Sequence, residues 1–326
     1  MSFAILPSKP QAPIAYKLVE NQNNNPDSPL IVFINGLVLP SLSWNPTIAL
    51  LQQSTSSVKP NILTYDRYGQ GATTSQDPAD NIPGKDPGYG HDLNDAVNDL
   101  HELIQITVPT NPKLLLVAAS IGVHIARTYA HKYPATVEGL LFLDSNIGNA
   151  EATDLWPNPH TPDFIESDVW EMTVRWSNTL KRLDRRNVLK LLPNPSSPKL
   201  QGLNGKGPWL KIVGHDPDRF AEEMWRMLKI PRSINRKYTQ PTWQKYNEGL
   251  LNLTGADRSV NEVLIAPGCG HFIQKDNPQF VATQLEDLLS RIYFRGFRFQ
   301  ILTFGPNKIG VKLNAKPPTT DYKEIK

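Results

Sequence analysis

Short, mostly apolar runs recur along the chain, each followed by a loop and then by a stretch with apolar residues at helical spacing. The runs are Pro29–Ile34 (PLIVFI), Asn61–Tyr65 (NILTY), Lys113–Ala118 (KLLLVA), Val137–Leu143 (VEGLLFL), Pro208–Val213 (PWLKIV) and Glu262–Ala266 (EVLIA). Strands apolar on both faces belong in the interior of a parallel sheet, where helices cover both sides. The intervening stretches supply those helices. His91–Ile106 places Leu93, Val97, Leu100, Leu103 and Ile104 along one face, and Ile121–Lys132, Asp218–Leu228, Thr242–Leu251 and Pro278–Ile292 follow the later runs. The alternation predicts an α/β fold with a mostly parallel central sheet flanked by helices.

The pattern breaks between residues 146 and 206, where prolines and tryptophans are frequent and no strand-like run occurs. Phe164–Leu183 is the helical part of this stretch, with Val169, Met172, Trp176 and Leu180 on one side. It reads as a helical lid inserted into the sheet order. Four segments result: 1–145 as the first part of the core, 146–206 as the lid, 207–292 as the second part of the core, and 293–326 as a C-terminal extension. The extension alternates early and loosens later, which fits either an added hairpin or a disordered appendage.

Composition narrows the class of protein. The 326 residues suit one large core with a small lid better than two equal domains. A net charge of +3, owed largely to basic residues near the C-terminus, does not argue for nucleic acid as a partner. No run of apolar residues is long enough to span a membrane, and the N-terminus has neither the basic region nor the long apolar region of a signal peptide. With a single cysteine, Cys269, no intramolecular disulfide forms. The C-terminal EIK is not a peroxisomal tripeptide, so the expected location is cytoplasmic.

The chemistry concentrates at Ala118-Ala119-Ser120-Ile121-Gly122, between an apolar strand and a helix. A chain that turns this sharply at a serine brings the residues two before and two after it together, so both must be small. Ala118 and Gly122 are. The serine then sits at a helix N-terminus and needs a base. His271, in the turn Gly268-Cys269-Gly270-His271-Phe272 after the last run, is the candidate; other histidines are less well placed. A carboxylate must orient the imidazole. Asp216, after the run that precedes the histidine's, is the first candidate and Asp218 stands beside it. The long stretch from there to His271 requires an extra helical excursion, and Asp144, at the end of Val137–Leu143, is the alternative. An oxyanion would be held by the backbone N–H groups of Ile121 and Leu37, the latter just after Asn35-Gly36. Asp66-Arg67-Tyr68-Gly69-Gln70-Gly71 lacks a phosphate-loop pattern and reads as a tight structural loop. Trp44 and Cys269 read as packing, and no metal-ligand spacing is found.

These segments together resemble the α/β-hydrolase superfamily over about residues 12 to 292. The carriers are Asn35-Gly36, the 66–71 segment, the Ser120 elbow and the His271 turn. More narrowly, VAASIGVHIARTYA, LLFLDSNIGN, VGHDPDRFAEE and IAPGCGHFIQKDNPQFVA are similar to filamentous-fungal secondary-metabolite hydrolases of the AK-toxin type. The resemblance implies a helical lid after the sixth strand and a cofactor-free serine hydrolase cleaving an ester or thioester of a small acyl compound. Ala118 in place of the usual first elbow glycine, and the long 216–271 segment, depart from the family pattern. The same fold also supports lyase or cyclase chemistry and non-catalytic binding of a small ligand.

Overall fold

The computed structural model describes residues 1–21, 28–56, 58–81, 83, 91–149, 155, 187–202, 205–293, 297–303 and 309–315. Eight strands form one sheet in the order β1-β2-β4-β3-β5-β6-β7-β8. They are β1 (Ser2–Ile5), β2 (Pro13–Val19), β3 (Leu30–Ile34), β4 (Asn61–Tyr65), β5 (Leu114–Ala119), β6 (Val137–Leu143), β7 (Trp209–Gly214) and β8 (Leu264–Ile265). β1 pairs antiparallel with β2, and β2 antiparallel with β4; every later pairing is parallel.

The period-two rule places the core. Leu30, Val32 and Ile34 of β3, Leu114, Leu116 and Ala118 of β5, and Leu140 and Phe142 of β6 point to one face. There they meet α2 (Leu93–Thr107) and α3 (Gly122–Lys132). Ile31, Phe33, Leu115, Val117, Leu141 and Leu143 point the other way, against α1 (Asn45–Gln53) and a C-terminal helix, α6 (Pro278–Tyr293). Between them lie α4 (Pro217–Leu228) and α5 (Gln240–Leu250). The start of α2 is fixed by Asp92, whose side chain accepts from the Asn94 and Asp95 N–H groups while Asp95 reaches back to the Asp92 N–H.

The six apolar runs all become strands, with Glu262–Ala266 reduced to the two residues of β8. β1 and β2 are additions. β2 is only partly buried, and β1 leaves Phe3 and Ile5 exposed, so neither carries the continuous apolar signature of the interior strands. Trp44 is fully buried against Phe33. Most of the 146–206 segment, including Phe164–Leu183, lies outside the described residues; its described end carries a helical turn, Val188–Leu191. In the C-terminal extension, β9 (Phe297–Thr303) pairs antiparallel with β10 (Ile309–Ala315) as a separate two-stranded sheet. Among the described residues no helix is long and apolar enough to cross a membrane.

Leu116 lies at the centre of β5 with no exposed surface. Leu116→Ala is expected to destabilise the fold by about 2–5 kcal/mol, read as a lower urea midpoint with an unchanged slope.

Candidate active site

Three loops at the carboxyl ends of parallel strands bring Ser120, Asp144 and His271 together, where open α/β sheets bind ligands. Ser120 follows β5 with φ at 55°, left-handed backbone that a non-glycine residue adopts only under constraint. The constraint is visible on both sides. The Ser120 N–H donates to Leu143 O at 3.0 Å, and α3 begins two residues later. A Cβ at Gly122 would fall 2.7 Å from the carbonyl oxygens of Ile34 and Asn35, so no side chain fits there. A Cβ at Gly36 would lie 3.1 Å from that of Ser120, which shows how closely the loop after β3 approaches the serine.

His271 bridges the other two side chains. Its Nε2 stands 2.9 Å from Ser120 Oγ and its Nδ1 2.5 Å from Asp144 Oδ2. This geometry selects the tautomer that donates from Nδ1 to the carboxylate and accepts the serine proton at Nε2. Glu223 of α4 fixes the backbone, accepting from the His271 N–H at 2.6 Å, and the Trp243 ring packs edge-on at 5.6 Å.

The carboxylate on the imidazole is therefore that of Asp144 and not of Asp216. Asp144 follows β6 with φ at 43°, anchored by its N–H to Val213 O at 2.7 Å, and has no exposed surface. Burial opposes its ionisation, but His215 and His271 outweigh burial and hold the carboxyl down at about 2. Asp216 instead caps α4. Its Oδ1 accepts from the Asp218 and Arg219 N–H groups at 3.0 and 3.3 Å, and its Oδ2 from the Gly268 N–H at 3.1 Å. These backbone donors, Gly268 first, hold its carboxyl below the usual range. Asp218 is exposed and pairs with Arg236 at 2.7 Å. The signal for the cap is in the sequence, since Asp followed by Pro opens a helix as N-cap and N1.

Ile121 directly follows the serine, and Leu37 directly follows Gly36, whose Cα lies close to that serine. Ile121 is nearly buried at the head of α3, while Leu37 is exposed at the rim. The loop bearing Leu37 is clamped from below by the 66–71 segment. Asp66, fully buried, accepts from the Ser41 N–H, Ser41 Oγ, Asn35 Nδ2 and the Ala72 N–H. Arg67 donates to the carbonyls of Asn35 and Gly36 at 2.8 and 2.9 Å, and Gln70 Nε2 to those of Gly36 and Leu37. Asn35 in turn accepts from Trp44 Nε1 at 2.7 Å. The segment that reads as a structural loop thus fastens the loop after β3. Cys269 is buried, and burial pushes its thiol up to about 11, which favours the protonated thiol at neutral pH. A cavity of about 230 Å³ opens beside Leu37 and Ile121, walled among others by Tyr65, Tyr68, Leu93 and Ile125.

Sequence reasoning missed His215. It sits directly after β7, 5% exposed, with Nδ1 at 2.8 Å from the second oxygen of Asp144. Nothing local marks it, because its partner stands 71 positions away.

The depressed Asp144 carboxyl has a consequence for acid stability. Its contribution is complete above the unfolded value near 3.8 and is lost as pH falls through about 2. Urea titrations between about pH 4 and pH 2 are expected to show a shallower loss of stability in Asp144→Asn than in the unsubstituted protein.

Comparison with known proteins agrees with this architecture. The profile described as "Alpha/beta hydrolase family" matches residues 31–284. The chain is 23% identical over 293 residues to protein phosphatase methylesterase 1 of Gibberella zeae, a match covering 81% of this chain and 66% of that protein's length. A carboxylesterase structure from the thaumarchaeon Nitrososphaera gargenis superposes with a TM-score of 0.53 at 14% identity, over 89% of this chain and 98% of that one. Mouse alpha/beta hydrolase domain-containing protein 10 gives a TM-score of 0.52 at 14% identity, over 89% and 99%. With the family profile spanning the strands and loops that carry Ser120, Asp144 and His271, the chain belongs to the alpha/beta hydrolase family.

Proposed function

We propose that the protein is a serine hydrolase that cleaves an ester or thioester of a small acyl compound through an acyl-enzyme. The observation that carries this reading is the unbroken chain Ser120 Oγ···Nε2 His271 Nδ1···Oδ2 Asp144, at 2.9 and 2.5 Å, with the serine held on a strained turn. His271 takes the Ser120 proton as Oγ attacks the acyl carbonyl carbon, and the carbonyl electron pair moves to oxygen. The backbone N–H groups of Leu37 and Ile121 hold that oxyanion. The intermediate collapses, the leaving alcohol or thiol takes the proton from His271, and water repeats the sequence to release the acid. Asp144 keeps the imidazole in the working tautomer and stabilises its cation.

The cavity beside Leu37 and Ile121, of about 230 Å³, offers room for a small acyl portion. The methylesterase among the relatives acts on esters by name, in keeping with an oxygen-ester substrate. The resemblance around the Ser120 and His271 motifs to fungal secondary-metabolite hydrolases favours a pathway intermediate, handled in the cytoplasm without cofactor, metal, nucleic acid or membrane.

Labelling with a fluorophosphonate probe tests the nucleophile: the unsubstituted protein is expected to be modified at Ser120, and Ser120→Ala to remain unmodified with an unchanged melting temperature. Turnover of an ester substrate should fall by about 10⁴-fold or more in Ser120→Ala and about 10⁴-fold in Asp144→Asn. Asp216→Ala should keep turnover within a few-fold and lower stability by about 1 kcal/mol through its lost helix cap. Retained turnover in Ser120→Ala contradicts the mechanism.

A further inference from the structure

Asp144 is shared. One oxygen accepts from His271 and the other faces His215 Nδ1 at 2.8 Å. The second nitrogen of His215, Nε2, lies 2.9 Å from Gln240 Oε1. The Nε2 of Gln240 donates to the main-chain carbonyl of Pro217 at 3.3 Å and to Asn235 Oδ1 at 3.2 Å, which leaves its Oε1 toward His215. Both ring nitrogens of His215 therefore confront acceptors. A neutral imidazole has one donor and leaves one of these contacts repulsive, while an imidazolium satisfies both. The ring is locked in place, stacked on Phe220 with centroids 3.9 Å apart and 12° between planes, and Trp243 packs on its edge.

We propose that His215 is held as an imidazolium and acts as the counter-ion of Asp144, a positioning residue that leaves His271 neutral and ready to accept the Ser120 proton. The inference rests on the hydrolase reading above and deepens it. A carboxylate with no exposed surface favours the charged form of an imidazole bonded to it. With His215 charged, Asp144 and His215 form a neutral pair, and Asp144 still accepts the orienting bond from His271. The charged groups around His215 agree. Among the described residues, Asp144 faces it from the end of β6, Asp216 caps the adjoining α4 and Glu223 belongs to it, and α5 contributes the neutral Gln240 and Trp243. Burial pulls the His215 proton affinity down, but Asp144 more than offsets it and the net direction is up.

His215→Gln separates charge from hydrogen bonding, since glutamine can still donate to Asp144 but carries no charge. The decisive measurement is ¹⁵N NMR of the histidine side chains against pH, in the unsubstituted protein and in His215→Gln, alongside the pH profile of kcat/KM. The expected result is that both His215 nitrogens keep imidazolium shifts through neutral pH. In His215→Gln, His271 should hold its proton to higher pH and the acid limb of kcat/KM should move up by about one pH unit, costing about tenfold at a pH on that limb. Neutral-imidazole shifts for His215 at pH 7, or an unmoved His271 titration in His215→Gln, would overturn the proposal. If His215→Gln fails to fold, the spectra of the unsubstituted protein decide the charge of His215. If no ester is turned over and Ser120 is not labelled, the hydrolase reading fails, while the NMR titration still tests the charge on His215 independently.

Discussion

Ser120 presents its hydroxyl because the backbone there is forced into left-handed conformation, and the surrounding chain is arranged to tolerate it. Three approaches make that conformation affordable: the N–H bond to the end of β6, the bare Cα of Gly122 against the carbonyls leaving β3, and the bare Cα of Gly36 against the serine itself. Strain of this kind costs on the order of 1–3 kcal/mol and persists where neighbours over-determine the geometry. Here those neighbours are the most buried strands of the sheet, so the core packing of β3, β5 and β6 and the aim of one oxygen atom are the same structural fact.

Electrostatics follows the same plan. Asp144, fully enclosed, has each oxygen committed to a different imidazole. A second enclosed carboxylate, Asp66, is satisfied by main-chain and hydroxyl donors and does mechanical work, clamping the loop that carries Leu37. The two illustrate how environment assigns roles to identical side chains: an acid surrounded by titratable rings tunes protons, and one surrounded by fixed donors fastens chain segments.

The interior of the fold is legible in the sequence because strands buried on both faces, such as LIVFI and LLLVAA, are apolar without interruption. β1 and β2 are not, since an edge hairpin keeps one side toward solvent and looks like ordinary polar chain. Within the site, the serine and its base announce themselves through short local patterns, small residues about Ser120 and glycines before His271. The acid has no such pattern. Asp144 and Asp216 both lie just beyond a strand, and the Pro217 that follows the second marks it as a helix cap. His215 is invisible for a stronger reason: its meaning depends wholly on side chains from β6 and α5 that the fold, and not the local sequence, delivers.

Sequence separation gives the site a particular place in the order of folding. The contact between Ser120 and His271 spans 151 positions and that between Asp144 and His271 spans 127, so each closes a loop comparable to an entire small domain. Such contacts bring their stabilisation only after the entropy of closing the intervening chain has been surrendered. The catalytic arrangement is thus the final product of assembly rather than a local device, and a chain that has gained its helices and central strands but has not docked β8 still lacks its base.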